Sequence, residues 1–221
     1  QYCLGDKTLF KGIKRLEPGH SLTLEGGHLQ VRRYWDLRFA NEADFEVEAF
    51  TGHLQDLLRD AVRFRLRSDV PVGAHLSGGL DSSAISCLAS ELLSGDLHVF
   101  TCGFKDADRY DETRYARLVG DYLGAAYHEY FPGAQDLAAT FEKLVYWLDE
   151  PVAGAAVFPQ YFLSRLASEN VKVVLGGQGG DEIFCGYARY LIAYLESCLQ
   201  RAIYGSAPMA GSVRLEDIAP N

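Results

Sequence analysis

The sequence predicts an α/β fold: a parallel sheet with helices on both faces, preceded by a short β-hairpin segment. Three observations predict it. After Phe45, short apolar runs alternate with stretches whose apolar residues recur every three to four positions. The intervening helical stretches reach ten or more residues, long enough to cross over between parallel strands. Two glycine-rich turns, Ser77 to Ser83 and Gly176 to Glu182, each follow a strand-like run, where ligands of such sheets bind.

The first forty residues read differently. Short apolar alternations surround a Pro18-Gly19 turn and a Gly26-Gly27 turn, the pattern of a small hairpin. Seven Lys or Arg and four Asp or Glu fall in this segment, so the rest of the chain holds the acidity. A boundary is expected near residues 37–45.

Beyond it, Val47, Phe50, Leu54, Leu57, Leu58, Ala61 and Val62 mark an amphipathic helix of about five turns. "VPVGAHL" then reads as a buried strand, "DSSAISCLASELL" as a helix, "LHVFTCGF" as a strand and "ETRYARLVGDYLG" as a helix. "AAYHEYF" continues as a strand, "AQDLAATFEKLVYWL" and "PQYFLSRLASEN" as helices, and "VKVVLGG" as a last strand.

Composition bounds the function. The 221 residues are 48% apolar, enough to bury a core and against a disordered or fibrous chain. A formal charge of −9 argues against nucleic-acid and membrane surfaces, which reward clustered Lys and Arg. Five cysteines, Cys3, Cys87, Cys102, Cys185 and Cys198, include no C-x-x-C pair, so neither a disulfide framework nor a zinc ribbon is indicated. With no bilayer-length apolar run and no secretory pattern, the cytoplasm is the expected compartment. The amino-terminal Gln1 and the trailing "EDIAPN" suggest a fragment of a longer protein.

The stretch "AHLSGGLDSSA" carries the chemistry. A helix amino terminus exposes unpaired N–H groups and partial positive charge, and the glycines before it let the backbone close around an anion. Ser77, Ser82 and Ser83 add hydroxyls, and a phosphate group is the simplest ligand. Neither G-x-x-x-x-G-K-[ST] nor G-x-G-x-x-G occurs, which removes support from kinase and dehydrogenase readings. Asp81 would repel phosphate unless a cation lay between them, and magnesium, bound by one or two carboxylates plus phosphate oxygens, meets that need. The plainer alternative is a tight turn in which Asp81 or Ser82 caps the helix.

These residues resemble a family. "SGGLDSS" is similar to the pyrophosphate loop (PP-loop) of the ATP pyrophosphatases. "VVLGGQGGDEIFCGYARY", "LDEPVAGAAVFPQYFLSRLA", "TLFKGIKRLEPGHSLTL" and "YWDL" resemble the glutamine-dependent asparagine synthetases. The resemblance implies an adenine nucleotide α-hydrolase-like fold. It makes residues 1–40 the tail of an amino-terminal glutaminase-like domain with its linker, and 41–221 an incomplete synthetase domain. The implied reaction activates aspartate with ATP and Mg²⁺ as β-aspartyl-AMP, releases pyrophosphate, and aminates the intermediate with glutamine-derived ammonia. Small molecules are then the partners, with no nucleic acid or membrane, and a homodimer is left open.

By the same resemblance, Ser77, Gly78, Gly79, Leu80, Asp81, Ser82 and Ser83 cradle the diphosphate, and Asp181 joins Asp81 on magnesium. Gly176 and Gly177 contact the nucleotide, and Leu76 and Cys102 flank the adenine. Asp149 or Glu150 removes the proton of the attacking ammonia, and one sequence does not choose between them. A non-catalytic nucleotide-binding module and an enzyme acting on another carboxylate are the alternatives.

Three departures accompany the resemblance. Gln1 and Tyr2 precede Cys3, which therefore lacks the free α-amine of an amino-terminal nucleophile. The last lysine is Lys172, upstream of where related enzymes carry a catalytic one. Gln178 occupies a position usually held by an acid.

Overall fold

A computed structural model of the chain describes residues 3–37, 46–104, 111–150, 154 and 156–204, with side chains as far as residue 200. The expected boundary falls largely on residues 38–45, outside the described residues.

The hairpin forms where the turn chemistry placed it. Strands β1 (His20–Glu25) and β2 (His28–Arg33) pair antiparallel from His20↔Arg33 to Glu25↔His28 around Gly26-Gly27. Both glycines have positive φ, as a two-residue turn matched to strand twist requires. Leu22, Leu24, Leu29 and Val31 sit in facing pairs yet are all exposed.

Helix α1 (Val47–Arg65) leads into the strands and helices that follow: β3 (Val72–His75), α2 (Leu80–Leu92), β4 (His98–Cys102), α3 (Thr113–Leu123) and β5 (Ala126–Tyr130). Then come α4 (Ala134–Leu148), α5 (Val157–Ser168), β6 (Val173–Leu175), α6 (Gly180–Phe184) and α7 (Ala188–Tyr204). Every run read as a strand or helix after Phe45 forms one. The short α6 and the long α7 complete the described residues.

The sheet has the order β5-β4-β3-β6, and all three pairings are parallel. Strand periodicity divides its residues between two apolar layers. Val72, Ala74, Leu76, Leu97, Val99, Val173 and Leu175 pack with Val62 of α1, Ala89 of α2 and Ala116 of α3. Phe100 and Val174, each one position out of phase, turn to the opposite face and meet Leu163, Leu166 and Ala167 of α5. Helices thus cover both faces, which is why the strands read as nearly continuous apolar runs.

The order also locates the site. From β3 the chain builds toward β4 and β5, then returns to add β6 on the other flank of β3. The carboxyl ends of β3 and β6 therefore border the point where the winding reverses, the crevice in which open parallel sheets bind ligands.

Under α5, the His98 and His128 rings stack at 5.2 Å with Nδ1 and Nε2 3.0 Å apart, and Phe100 lies 5.0 Å from His128. A nitrogen-to-nitrogen hydrogen bond requires one ring to accept, hence to be neutral. Burial, then the neighbouring His98, hold His128 below the usual histidine pKa of 6.5. Below that value the unfolded chain binds more protons than the folded one, so this contribution to stability is present above pH 6.5 and is lost as the pH falls. Urea unfolding at pH 7.5 and 5.5 should show that decline, and His128→Gln should shrink it. Phe100, fully buried between sheet and α5, should cost about 3–5 kcal/mol when replaced by alanine, read from the same unfolding curves.

Candidate active site

The first turn is fixed before it begins. The Leu76 N–H donates to Phe100 O at 2.9 Å, and its carbonyl accepts the buried Thr101 hydroxyl at 2.7 Å. Gly78 then takes φ +86°, and a Cβ there would lie 2.7 Å from Tyr115 Cβ and 2.6 Å from Ala116 N. Only glycine lets the backbone pass so close over the start of α3.

Two serines tie the turn into a ring. Ser82 Oγ accepts the Ser77 N–H at 3.2 Å and lies 2.9 Å from Ser77 Oγ and 3.1 Å from Gly79 O. Ser77 Oγ in turn accepts the Gly79 N–H at 3.3 Å. No side chain caps α2, so Asp81 is not spent on the helix end. The amides of Leu80, Asp81 and Ser82 are the first-turn donors that an α-helix leaves without internal partners.

The second turn packs directly onto the first. A Cβ on Gly177 would lie 2.7 Å from Ser82 N and 2.9 Å from Asp81 Cβ, and one on Gly180 would fall onto the Asp81 carboxylate. Next to this contact, Glu182 accepts the Gly179 N–H at 3.1 Å and the Tyr187 hydroxyl at 3.0 Å. Its own amide N–H first, and the Tyr187 hydroxyl second, hold the Glu182 carboxyl below its usual range.

Between the turns opens a cleft of about 750 Å³, a size that suits a nucleotide-scale ligand. Leu76, Ser77, Gly79, Leu80, Asp81, Ser82, Cys102, Gly177 and Asp181 line it. Gly78, Ser83 and Gly176 belong to the same two turns but are not among its lining residues. Asp149 and Glu150 also lie outside the lining. Asp149 ends α4 in a left-handed conformation and is exposed, while Glu150 forms an ion pair with Arg15 from the segment before the hairpin.

Several lining residues carried no sequence signal. Phe100 and Phe104 from the β4 end, with Pro159 and Leu163 of α5, add an apolar wall. Burial pushes the Cys102 thiol up to about 11, so it stays neutral as part of that wall. His75, its pKa lowered by burial, stands 3.5 Å from Gln160 Nε2, and its own Nε2 is buried without a partner among the described residues. Glu112, Glu182, Gln178 and Tyr187 complete the polar side. The acids Asp81, Glu112, Asp181 and Glu182 all face the cleft, and no Lys or Arg is among its described lining residues.

Comparison with known proteins places the chain in a family. The asparagine synthase family model matches residues 53–218, a span that includes both turns. The chain belongs to the asparagine synthase family. Among asparagine synthase relatives, a Methanocaldococcus jannaschii protein assigned by name to the glutamine-hydrolysing asparagine synthetases is 37% identical over 190 residues, 85% of this chain and 36% of its own length. Asparagine synthetase [glutamine-hydrolyzing] 1 of Bacillus subtilis is 32% identical over 191 residues, 86% of this chain and 30% of its own. The amidase chyE of Penicillium rubens is 31% identical over 200 residues, 82% of this chain and 30% of its own. The chain thus spans about a third of the length of the curated relatives it matches.

The contact between the turns makes a direct test. Gly180→Ala should displace the Asp81 carboxylate and lower stability by roughly 1–3 kcal/mol, the cost of overpacking, measured by urea unfolding. Gly52→Ala in α1, where nothing lies within 4 Å of the added atom, should not lower it.

Proposed function

We propose that the chain is the synthetase part of an ATP-dependent amide-forming ligase that makes asparagine. One observation carries this reading: the turn of Gly177 and Gly180 seats against Asp81 and Ser82, so two glycine-rich, phosphate-suited loops share one cleft. Membership in the asparagine synthase family supports the amidation chemistry.

The proposed reaction has two steps. The β-carboxylate of aspartate attacks the α-phosphorus of ATP, forming an acyl-phosphate bond as the bond to the diphosphate breaks. Ammonia derived from glutamine then attacks the β-aspartyl-AMP carbonyl, and AMP leaves as asparagine forms. Charge grows on the departing diphosphate in the first step. The first-turn amides of α2 and the hydroxyls of Ser77, Ser82 and Ser83 are the donors proposed to meet it. Leu76, Cys102, Gly176 and Gly177 are proposed to flank the nucleoside. Asp149 or Glu150 is proposed to take the ammonia proton, and of the two Glu150 is engaged by Arg15.

The donor set fits magnesium. Asp81 and Asp181 line the same cleft, and neither forms an ion pair among the described residues. No group of three or more His, Cys, Asp or Glu that could hold a metal occurs among the described residues. Two carboxylates completed by phosphate oxygens and water are what Mg²⁺ takes, rather than an all-protein cage. When bound, the ion would neutralise charge on the phosphates.

Pyrophosphate release by the full-length protein with ATP, Mg²⁺, aspartate and ammonia tests this function. We expect aspartate-dependent release that EDTA abolishes and Mg²⁺ restores. Asp81→Asn and Asp181→Asn should each lower the rate by at least about 100-fold, the scale of losing transition-state charge stabilisation. The amidase relative favours a second reading, another carboxylate as acceptor. Release that ignores aspartate but responds to a different acid would replace the first reading with it.

A further inference from the structure

The charge of the cleft is unbalanced for the proposed substrates, and the need for a further cation rests on that proposed function. Asp81, Glu112, Asp181 and Glu182 all line the cleft, with no Lys or Arg among its described lining residues. A nucleotide triphosphate and a carboxylic acid acceptor bring more negative charge, and one divalent ion neutralises only half of the lining carboxylates. A basic group at the cleft would offset that charge.

One is held against a lining residue. Tyr187 lines the cleft, and the Arg189 guanidinium carbon lies 4.0 Å from the centre of the Tyr187 ring. Tyr190 is the next aromatic ring, 5.9 Å away. The Tyr187 ring is pinned in turn, since its hydroxyl donates to Glu182 at 3.0 Å and Glu182 accepts the Gly179 N–H at 3.1 Å. Arg189 thereby hangs from the second glycine-rich turn through two side chains.

The guanidinium is exposed and makes no ion pair or hydrogen bond among the described residues, so its contact with the Tyr187 ring leaves its N–H donors uncommitted. A planar fork held by its face presents parallel N–H groups that match phosphate or carboxylate oxygens.

We propose that Arg189 is a substrate-binding residue of the cleft, engaging an oxyanion of the nucleotide phosphates or of the acceptor carboxylate, with Tyr187 as its positioning residue. The basic group then comes from the start of α7, downstream of Lys172, the last lysine of the sequence.

The experiment uses the full-length protein and reads Mg²⁺-ATP binding by calorimetry and pyrophosphate release with aspartate and ammonia. Arg189→Ala should raise one KM or lower kcat by roughly tenfold to a hundredfold, the factor for losing a hydrogen bond to a charged group. Arg189→Lys should recover part of the loss, because it restores charge without the fork. A raised KM for ATP assigns the contact to phosphate, and a raised KM for aspartate assigns it to the acceptor. A loss in kcat alone assigns it to the oxyanion that develops on the departing diphosphate.

Tyr187→Leu should move the same parameter as Arg189→Ala, whereas Tyr187→Phe, which keeps the ring, should move it less. Arg67→Ala removes a comparable stack, 4.7 Å over Phe64, on a residue outside the cleft lining, and should change none of these constants. Unaltered binding and unaltered kinetics in Arg189→Ala, beside an active wild type, overturn the assignment and leave the proposed function standing. A wild type that neither binds Mg²⁺-ATP nor releases pyrophosphate overturns the proposed function itself, and this assignment with it.

Discussion

The candidate site depends on the contact between two turns. Gly177 and Gly180 rest against Asp81 and Ser82 so closely that no side chain could stand between them. That approach brings the carboxyl ends of β3 and β6 together, and the sheet order makes it available by placing β6 beside β3 rather than beyond β5. Each turn alone would be an ordinary strand-to-helix connection. In contact they form one cleft whose polar side is almost wholly backbone amides, hydroxyls and carboxylates.

Rigidity of the cradle comes from short-range bonds rather than from burial. Ser77 and Ser82 close a ring across the first turn, and Thr101 fixes the carbonyl of Leu76 from the neighbouring strand. Glu182 and Tyr187 brace the second turn in a comparable way. Amides and hydroxyls held like this need little reorganisation when charge develops nearby, which is the condition under which such groups accelerate a reaction. The surrounding acids set a second condition, because an anionic substrate can enter only with compensating cations.

The amino-terminal segment meets the strand-helix part of the chain through Arg15. Arg15 pairs with Glu150 just past α4, and α5, whose Pro159, Gln160 and Leu163 line the cleft, begins a few residues later. Among the described residues this ion pair links the segment before the hairpin to the strand-helix part of the chain. It also separates two acids that look equivalent in "LDEP", since among the described residues Glu150 is in an ion pair and Asp149 is not.

Much of this was legible in the chain. Helical periodicity from Val47, the apolar runs of β3 to β6 and the Gly26-Gly27 turn gave their elements because each is a local pattern with a fixed period or a fixed backbone demand. "SGGLDSS" and "GGQGGDE" were legible as anion-suited turns for the same reason: glycine, hydroxyl and acid at a strand end imply a geometry by themselves. His75, Phe100, Gln160, Glu112 and Tyr187 carried no such mark. They come from β3, β4, α5, the approach to α3 and the start of α7, and only chain reversal and sheet order bring them to one cleft. Sequence by itself determined the local turns and the alternation that makes a parallel sheet, whereas the tertiary structure decided which side chains meet. Those meetings depend on packing across the sheet, between residues far apart in the chain, where periodicity holds no information.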